Sequence, residues 1–346
     1  MALTRRGKIT IGAVAAAAVT VVAVLAFTGN APGPIQDIVN AVIDRPEPCP
    51  LTGKVQGDED APSSPALTVK VENTDDAYPL AGLERADVVY EEPVEGGITR
   101  FAAIFHCRQA ARVGPIRSAR TTDPKIVLAY ADDPLLAYSG ANPKVAAGID
   151  AAGIISLTET SANAAYTRDD ARFAPHNLFA STKELLKIGL QMGAEDAPPT
   201  APFTFDTAIP EPSKPRTFAS VSFSSSNVVE WRWSDGRWVR QLDGAPMTSE
   251  AGAPIAVSNV VIQEVVMTES DIVDVTGSHS PELKLLGRGR AWILRDGRLI
   301  VGRWHRSSLG DVTIFETKAG EEIALDPGRT FVELMPKGVG EATFSR

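Results

Sequence analysis

The chain has 346 residues, 44% of them hydrophobic, with near-zero mean hydropathy and a formal charge of −9. That composition supplies globular cores but no basic face for a polyanion, so nucleic acid is excluded as a partner. Four scattered histidines (His106, His176, His279, His305) give no metal spacing, and no GxSxG, HExxH, Walker or nucleotide-binding glycine pattern specifies a reaction or a cofactor.

Arg5, Arg6 and Lys8 precede an uncharged run of twenty residues, Ile9 to Thr28, ITIGAVAAAAVTVVAVLAFT. Such a run is long enough to cross a bilayer, with the basic flank 1–8 in the cytoplasm and everything beyond it extracytoplasmic. A transmembrane signal anchor at 9–28 is the reading. Cleavage near Ala26 is the alternative, for which the run is long and the small-residue signal poor. Residues 29–64 are rich in Pro, Gly and polar residues except for an amphipathic stretch at 35–43, suited to a short helix at the membrane edge, and are expected to form a stalk. An extracytoplasmic setting permits Cys49 and Cys107 to pair as a disulfide. Lipid attachment at Cys49 is the other reading, opposed by the preceding Arg45-Pro46-Glu47-Pro48 and by the distance from the apolar run.

The first domain is expected over 65–194. Ala66–Val71, Asp87–Glu91, Thr99–Phe105 and Leu135–Ser139 read as strands. Helical patterns run from Asp123 to Asp132 and from Lys183 to Met192, the second opened by a capping box from Ser181 to Glu184. This mixed order indicates an α/β or α+β N-terminal domain. Prolines at 198, 199, 202, 210, 212 and 215 then mark a linker over 195–217. From 218 to 346 the pattern is strands alone, which predicts a mostly β, in the fullest form all-β, C-terminal domain. Asp235-Gly236 and Asp296-Gly297 read as two-residue hairpin turns, the first placing Trp233 opposite Trp238 and Trp231 opposite Arg240. No repeat occurs at a solenoid or propeller period.

The candidate chemistry lies between Asp87 and Arg120. From Gly96 to Thr122 there are five arginines and no Asp, Glu or Lys. Guanidinium forks match carboxylates and phosphates bidentately, so Arg100, Arg117 and Arg120, with the Ser118 hydroxyl, form a candidate anion site at a strand-to-helix junction. Ser139 and Asn142, in YSGANP, repeat that arrangement at a second strand end. Arg168, His176 and Asn177 form a further cluster in which His176 is a candidate acid, base or phosphate donor. Glu91, Glu92 and Glu95 are the candidate acidic partners. As neighbours in a strand, Glu91 and Glu92 face opposite sides, whereas Glu91 and Glu95 can converge across Pro93. The open question is whether these carboxylates consume the arginines or leave them free.

Several segments in order resemble the DUF3048 family of YerB-like lipoproteins: CPLTG at 49–53, ALTVKVEN at 66–73, ADVVYEEPVEGGITR at 86–100, VGPIRSAR at 113–120, YSGANP at 138–143, APHNLF at 174–179, NVVIQ at 259–263 and PGRTFVEL at 327–334. The resemblance covers about residues 49–336 and implies a membrane-attached, extracytoplasmic bacterial envelope protein with N- and C-terminal domains. It implies no reaction, and the chain lacks a lipobox, so a transmembrane anchor is expected in place of the lipid. Three functions are consistent with this reading. The first is a binding protein for an anionic envelope ligand or envelope protein, the second an envelope enzyme acting on a phosphorylated, polyprenyl-pyrophosphate-like substrate, and the third a structural scaffold.

Overall fold

The computed structural model describes residues 46–55, 62–274 and 277–346. The expected membrane span, its basic flank and the helix at 35–43 lie outside the described residues. Among the described residues no helix is long and apolar enough to cross a membrane.

The first segment is built on Leu67–Asn73 (β1), Val88–Pro93 (β2) and Thr99–Phe105 (β3). β3 pairs antiparallel with both neighbours, and Arg100 is the register partner of Glu72 on one side and Glu92 on the other. Leu135–Ala137 (β4) and Ile155–Leu157 (β5) extend the sheet in parallel from β1. Parallel neighbours need crossovers, and these carry helices Thr122–Val127 (α1) and Pro143–Ala151 (α2). Tyr166–Arg168 (β6) and Leu178–Ala180 (β7) form a two-stranded ladder, followed by Thr182–Gln191 (α3). As the capping box predicts, the Ser181 hydroxyl accepts the Glu184 N–H at 3.4 Å. The helix expected at 123–132 is shorter. It closes in tight turns after Val127, which carry Tyr130 into the core where its hydroxyl meets that of Tyr90 at 3.1 Å.

The second segment is made of strands, as its sequence predicts. In order they are Ser213–Pro215 (β8), Phe218–Ser222 (β9), Val228–Ser234 (β10), Arg237–Leu242 (β11), Ala245–Pro246 (β12), Ala256–Val257 (β13), Asn259–Val273 (β14), His279–Lys284 (β15), Gly287–Arg295 (β16), Arg298–Arg306 (β17), Ile314–Glu316 (β18), Thr330–Pro336 (β19) and Glu341–Ser345 (β20). Asp235-Gly236 and Asp296-Gly297 turn with positive φ at both residues, which a two-residue hairpin requires. Trp233 pairs with Trp238 and Trp231 with Arg240, and the centroids of the first pair are 5.5 Å apart.

The two segments share one sheet. A twelve-stranded sheet runs β18-β17-β16-β14-β19-β2-β3-β1-β4-β5, with β15 on β14 and β8 on β17. β19 lies parallel to both β14 and β2 and is buried along its length. Its sequence, TFVELMP, is a near-continuous apolar run of the kind that takes a central position in a sheet. The stretch at 195–217 is accordingly pinned to this sheet through β8, and to the segment before β19 through a bridge between Phe205 and Leu325. The buried Arg329 adds a second tie, donating to the carbonyls of Ala86 at 2.7 Å, Leu83 at 2.8 Å and Ala256 at 2.9 Å. A six-stranded sheet, β12-β11-β10-β9-β20 with β13, covers the other side of the core.

Residues 46–55, at the end of the stretch expected to form a stalk, belong to the fold. Cys49 and Leu51 are buried with Ile104 and Val332 in one apolar cluster, and a disulfide joins Cys49 to Cys107 at the end of β3. An apolar side chain and a covalent tie hold this stretch to the fold where composition alone suggested a tether.

Candidate functional site

Alternation along β1, β2 and β3 sorts the charged side chains onto two faces of the sheet. Lys70, Glu72, Glu92 and Arg100 project to one side, and Glu91 to the other. Glu92 pairs with Lys70, whose ammonium also meets Asp123 Oδ1 at 2.8 Å, and all three side chains are fully buried. Burial pushes the Glu92 carboxyl up to about 7, against the pull of Lys70.

The arginines divide. Arg120 is taken: its guanidinium meets Glu95 Oε2 at 2.6 Å, and its Nη1 donates to the Ala119 carbonyl at 2.9 Å. Burial works against the Glu95 charge, but the hydrogen bonds from Arg120 and Ser280 hold its carboxyl below the usual range. Arg100 has no carboxylate within ion-pair distance among the described residues. Its Nη1 donates to the Ser118 carbonyl at 2.9 Å, and burial, with Arg120 and Arg117 nearby, lowers it to about 10. Arg117 places its buried Nε 3.1 Å from Glu72 Oε1, an ion pair without hydrogen-bond alignment, and its terminal nitrogens likewise have no hydrogen-bond partner among the described residues. Its side chain is 21% exposed. Glu72 Oε2 lies 3.0 Å from His176 Nδ1, so His176 joins this site through Glu72.

The remaining candidates have other partners. The backbone N–H of Ser139 donates to the Arg117 carbonyl at 3.0 Å, which fixes the loop carrying Arg117. Asn142 caps α2, its side chain accepting the Lys144 N–H at 3.1 Å. Arg168 binds Glu159 and donates to Asn177 Oδ1 at 3.0 Å, making a separate pair on the β6–β7 ladder. Glu91 does not converge with Glu95. It lies on the opposite face, 2.6 Å from Arg240 Nη1, beside the fully buried Glu333, its register partner on β19.

Sequence reasoning missed Lys70, Glu72 and Asp123 in the first cluster and Glu333 in the second. The signal for Lys70 and Glu72 was present, since two charges spaced by two in the apolar strand LTVKVEN must share one face. Nothing local marked Asp123 or Glu333. The only group of potential metal-binding residues among those described is Cys49, Asp87 and Cys107, where the disulfide occupies both sulfurs.

Comparison with known proteins agrees with this architecture. The N-terminal domain of DUF3048, a family described as of unknown function, matches residues 51–195, and its C-terminal domain matches residues 219–332. YerB of Bacillus subtilis (strain 168), whose name marks it as a candidate lipoprotein, is 28% identical over 267 residues, covering 75% of this chain and 78% of its own. The crystal structure of YerB from Bacillus subtilis superposes with a TM-score of 0.72 at 25% identity, covering 86% of this chain and 99% of that one. With both domains matched in order over most of its length, the chain belongs to the DUF3048 family.

Proposed function

We propose that this DUF3048 protein is a membrane-attached, extracytoplasmic envelope protein that holds an anionic group, a phosphate or a carboxylate, between Arg100 and Arg117. The attachment rests on the apolar run at 9–28, the lipoprotein naming of YerB and the Cys49–Cys107 disulfide, a bond that persists in oxidising compartments. The observation that carries the binding reading is the Arg117 fork. Its terminal nitrogens are unengaged and partly exposed, beside an Arg100 that has no carboxylate of its own. In this cluster Lys70, Arg100, Arg117 and Arg120 face Glu72, Glu92, Glu95 and Asp123. Burial favours the protonated form of Glu92, which weakens the negative side of this balance.

Binding is favoured over turnover because Glu92, the carboxyl of this cluster poised near neutrality, is fully buried and has no path to a substrate. The test is the thermal unfolding of the detergent-solubilised full chain with inorganic diphosphate. At one hundred times the dissociation constant a ligand adds about 2.7 kcal/mol to the native state. The expected result is a rise in melting temperature that Arg117→Ala removes. No rise, or the same rise in Arg117→Ala, refutes the reading.

A further inference from the structure

On the other face of β1 the two sheets frame a cleft of about 720 Å³, within the range of small-molecule sites. Its walls come from the turn after β1 (Thr74, Asp75, Asp76, Tyr78), from the Ser226–Asn227 turn with β10, and from the end of β11 (Gln241, Asp243). The anion site described above touches this wall only where the Thr74 hydroxyl donates to Glu72 Oε1 at 3.0 Å and where Asp76 lies 3.9 Å from His176 Nε2.

The floor is fixed before any ligand arrives. Asn73 Nδ2 donates to Glu91 Oε1 at 3.0 Å and to Thr99 Oγ1 at 2.7 Å, and the Tyr78 hydroxyl donates to Asn73 Oδ1. Arg240 is held between Glu91, 2.6 Å away, and Glu333, 3.4 Å away, with its guanidinium 5.2 Å to 5.8 Å from the centroids of Phe101, Phe331 and Trp231. A floor locked by charge and stacked rings loses little entropy on binding.

The chemistry of the lining narrows the ligand. Amides (Asn73, Asn227, Gln241), hydroxyls (Thr74, Ser226) and carboxylates (Asp75, Asp76, Glu230, Asp243) surround one aromatic ring, Tyr78. Planar amides and carboxylates donate to and accept from adjacent hydroxyl groups, and an aromatic edge packs against C–H surface, which is the pattern a sugar ring requires. The lining excludes an acidic sugar. Arg240 is its sole Lys or Arg and is already compensated by Glu91 and Glu333, while Asp75 and Asp243 have no ion-pair partner among the described residues. Tyr78 registers the same field: burial first, then the charges of Glu91, Asp75 and Asp243, raise its hydroxyl to about 12 despite Arg240.

The geometry points to a saccharide site in this cleft, for a neutral or amine-bearing sugar chain. The chemistry is recognition by hydrogen bonding and involves no covalent step. The test is calorimetric titration of the full chain with chitotriose, with its tri-N-acetylated form and with trigalacturonate. Either of the first two should bind with a dissociation constant of about 1 mM or tighter, and trigalacturonate should not bind. Ser226→Trp, which fills the mouth of the cleft from an exposed position, should weaken binding at least about tenfold with the melting temperature unchanged. The proposal is overturned if neither neutral nor amino trisaccharide binds at about 10 mM, if trigalacturonate binds as well as they do, or if Ser226→Trp leaves the affinity intact.

Discussion

Replacing Glu92 by Gln tests the buried centre of the cluster. The change does not strand the ammonium it faces, because Lys70 keeps Asp123 at 2.8 Å. In the folded chain burial raises the Glu92 carboxyl from 4.5 to about 7, so the native state holds this proton more tightly than the unfolded chain does. The stabilisation from that proton is therefore complete below the unfolded value of 4.5 and is lost as pH rises through about 7. At 1.36 kcal/mol per unit the window amounts to about 3 kcal/mol. Gln carries no titrating proton and should remove this slope, while titrating groups that do not interact with Glu92 cancel between the two proteins. The assay is urea unfolding of wild type and Glu92→Gln, disulfide intact, at about pH 5 and about pH 7.5. The variant's stability relative to wild type should improve by about 2 kcal/mol between the two conditions, the part of the window that they span. Parallel pH profiles would refute the assignment of a raised carboxyl at this position.

Two further changes probe how the fold is tied together. Cys49 and Cys107 are 58 residues apart in sequence, and opening a loop of that size by a double Cys→Ser change should cost about 4 kcal/mol in urea unfolding; a loss under about 1 kcal/mol would contradict the chain-entropy account. Arg329→Met removes a donor to three buried carbonyls from both segments; the Ala86 carbonyl keeps Arg108 Nη2 and the Leu83 carbonyl keeps the Ala86 N–H, so the Ala256 carbonyl is the one stranded, and at about 1–3 kcal/mol for such an acceptor equilibrium unfolding should show a loss of at least about 1 kcal/mol. A near-neutral result would show that the joint sheet holds the segments without it.

The regular elements were legible because their signals are local. β3 occupies the span its apolar run predicts, Thr99–Phe105, and the Asp235-Gly236 turn fixed the Trp233–Trp238 register, since only the positive φ at both turn residues allows that hairpin. The joining of the two segments was not legible. β19 reads as one strand among many, and its place between β14 and β2 is set by burial on both faces, which a single sequence does not assign to a neighbour. The site was half legible. Unmixed charge from Gly96 to Thr122 located the arginines, and strand alternation separated Glu91 from Glu92. The partner that matters for Arg117, Glu72, lies in β1, and the bridge between Val71 and Ile116 that brings them together exists only once the chain has folded. Asn142 and Arg168 were drawn in by residue type, but one caps a helix and the other pairs with Glu159, both local duties.

The central claim is that Glu95 consumes Arg120 while Arg100 and Arg117 remain available to an outside anion. A crystal structure of the protein grown with tungstate, an anomalous scatterer shaped like phosphate, tests this most directly. The account predicts one ordered tungstate within hydrogen-bonding distance of the Arg117 terminal nitrogens and the Arg100 guanidinium, with the Arg120–Glu95 pair unbroken. A tungstate seated on Arg120 with Glu95 displaced, or no tungstate at this face in protein that binds it elsewhere, would contradict it.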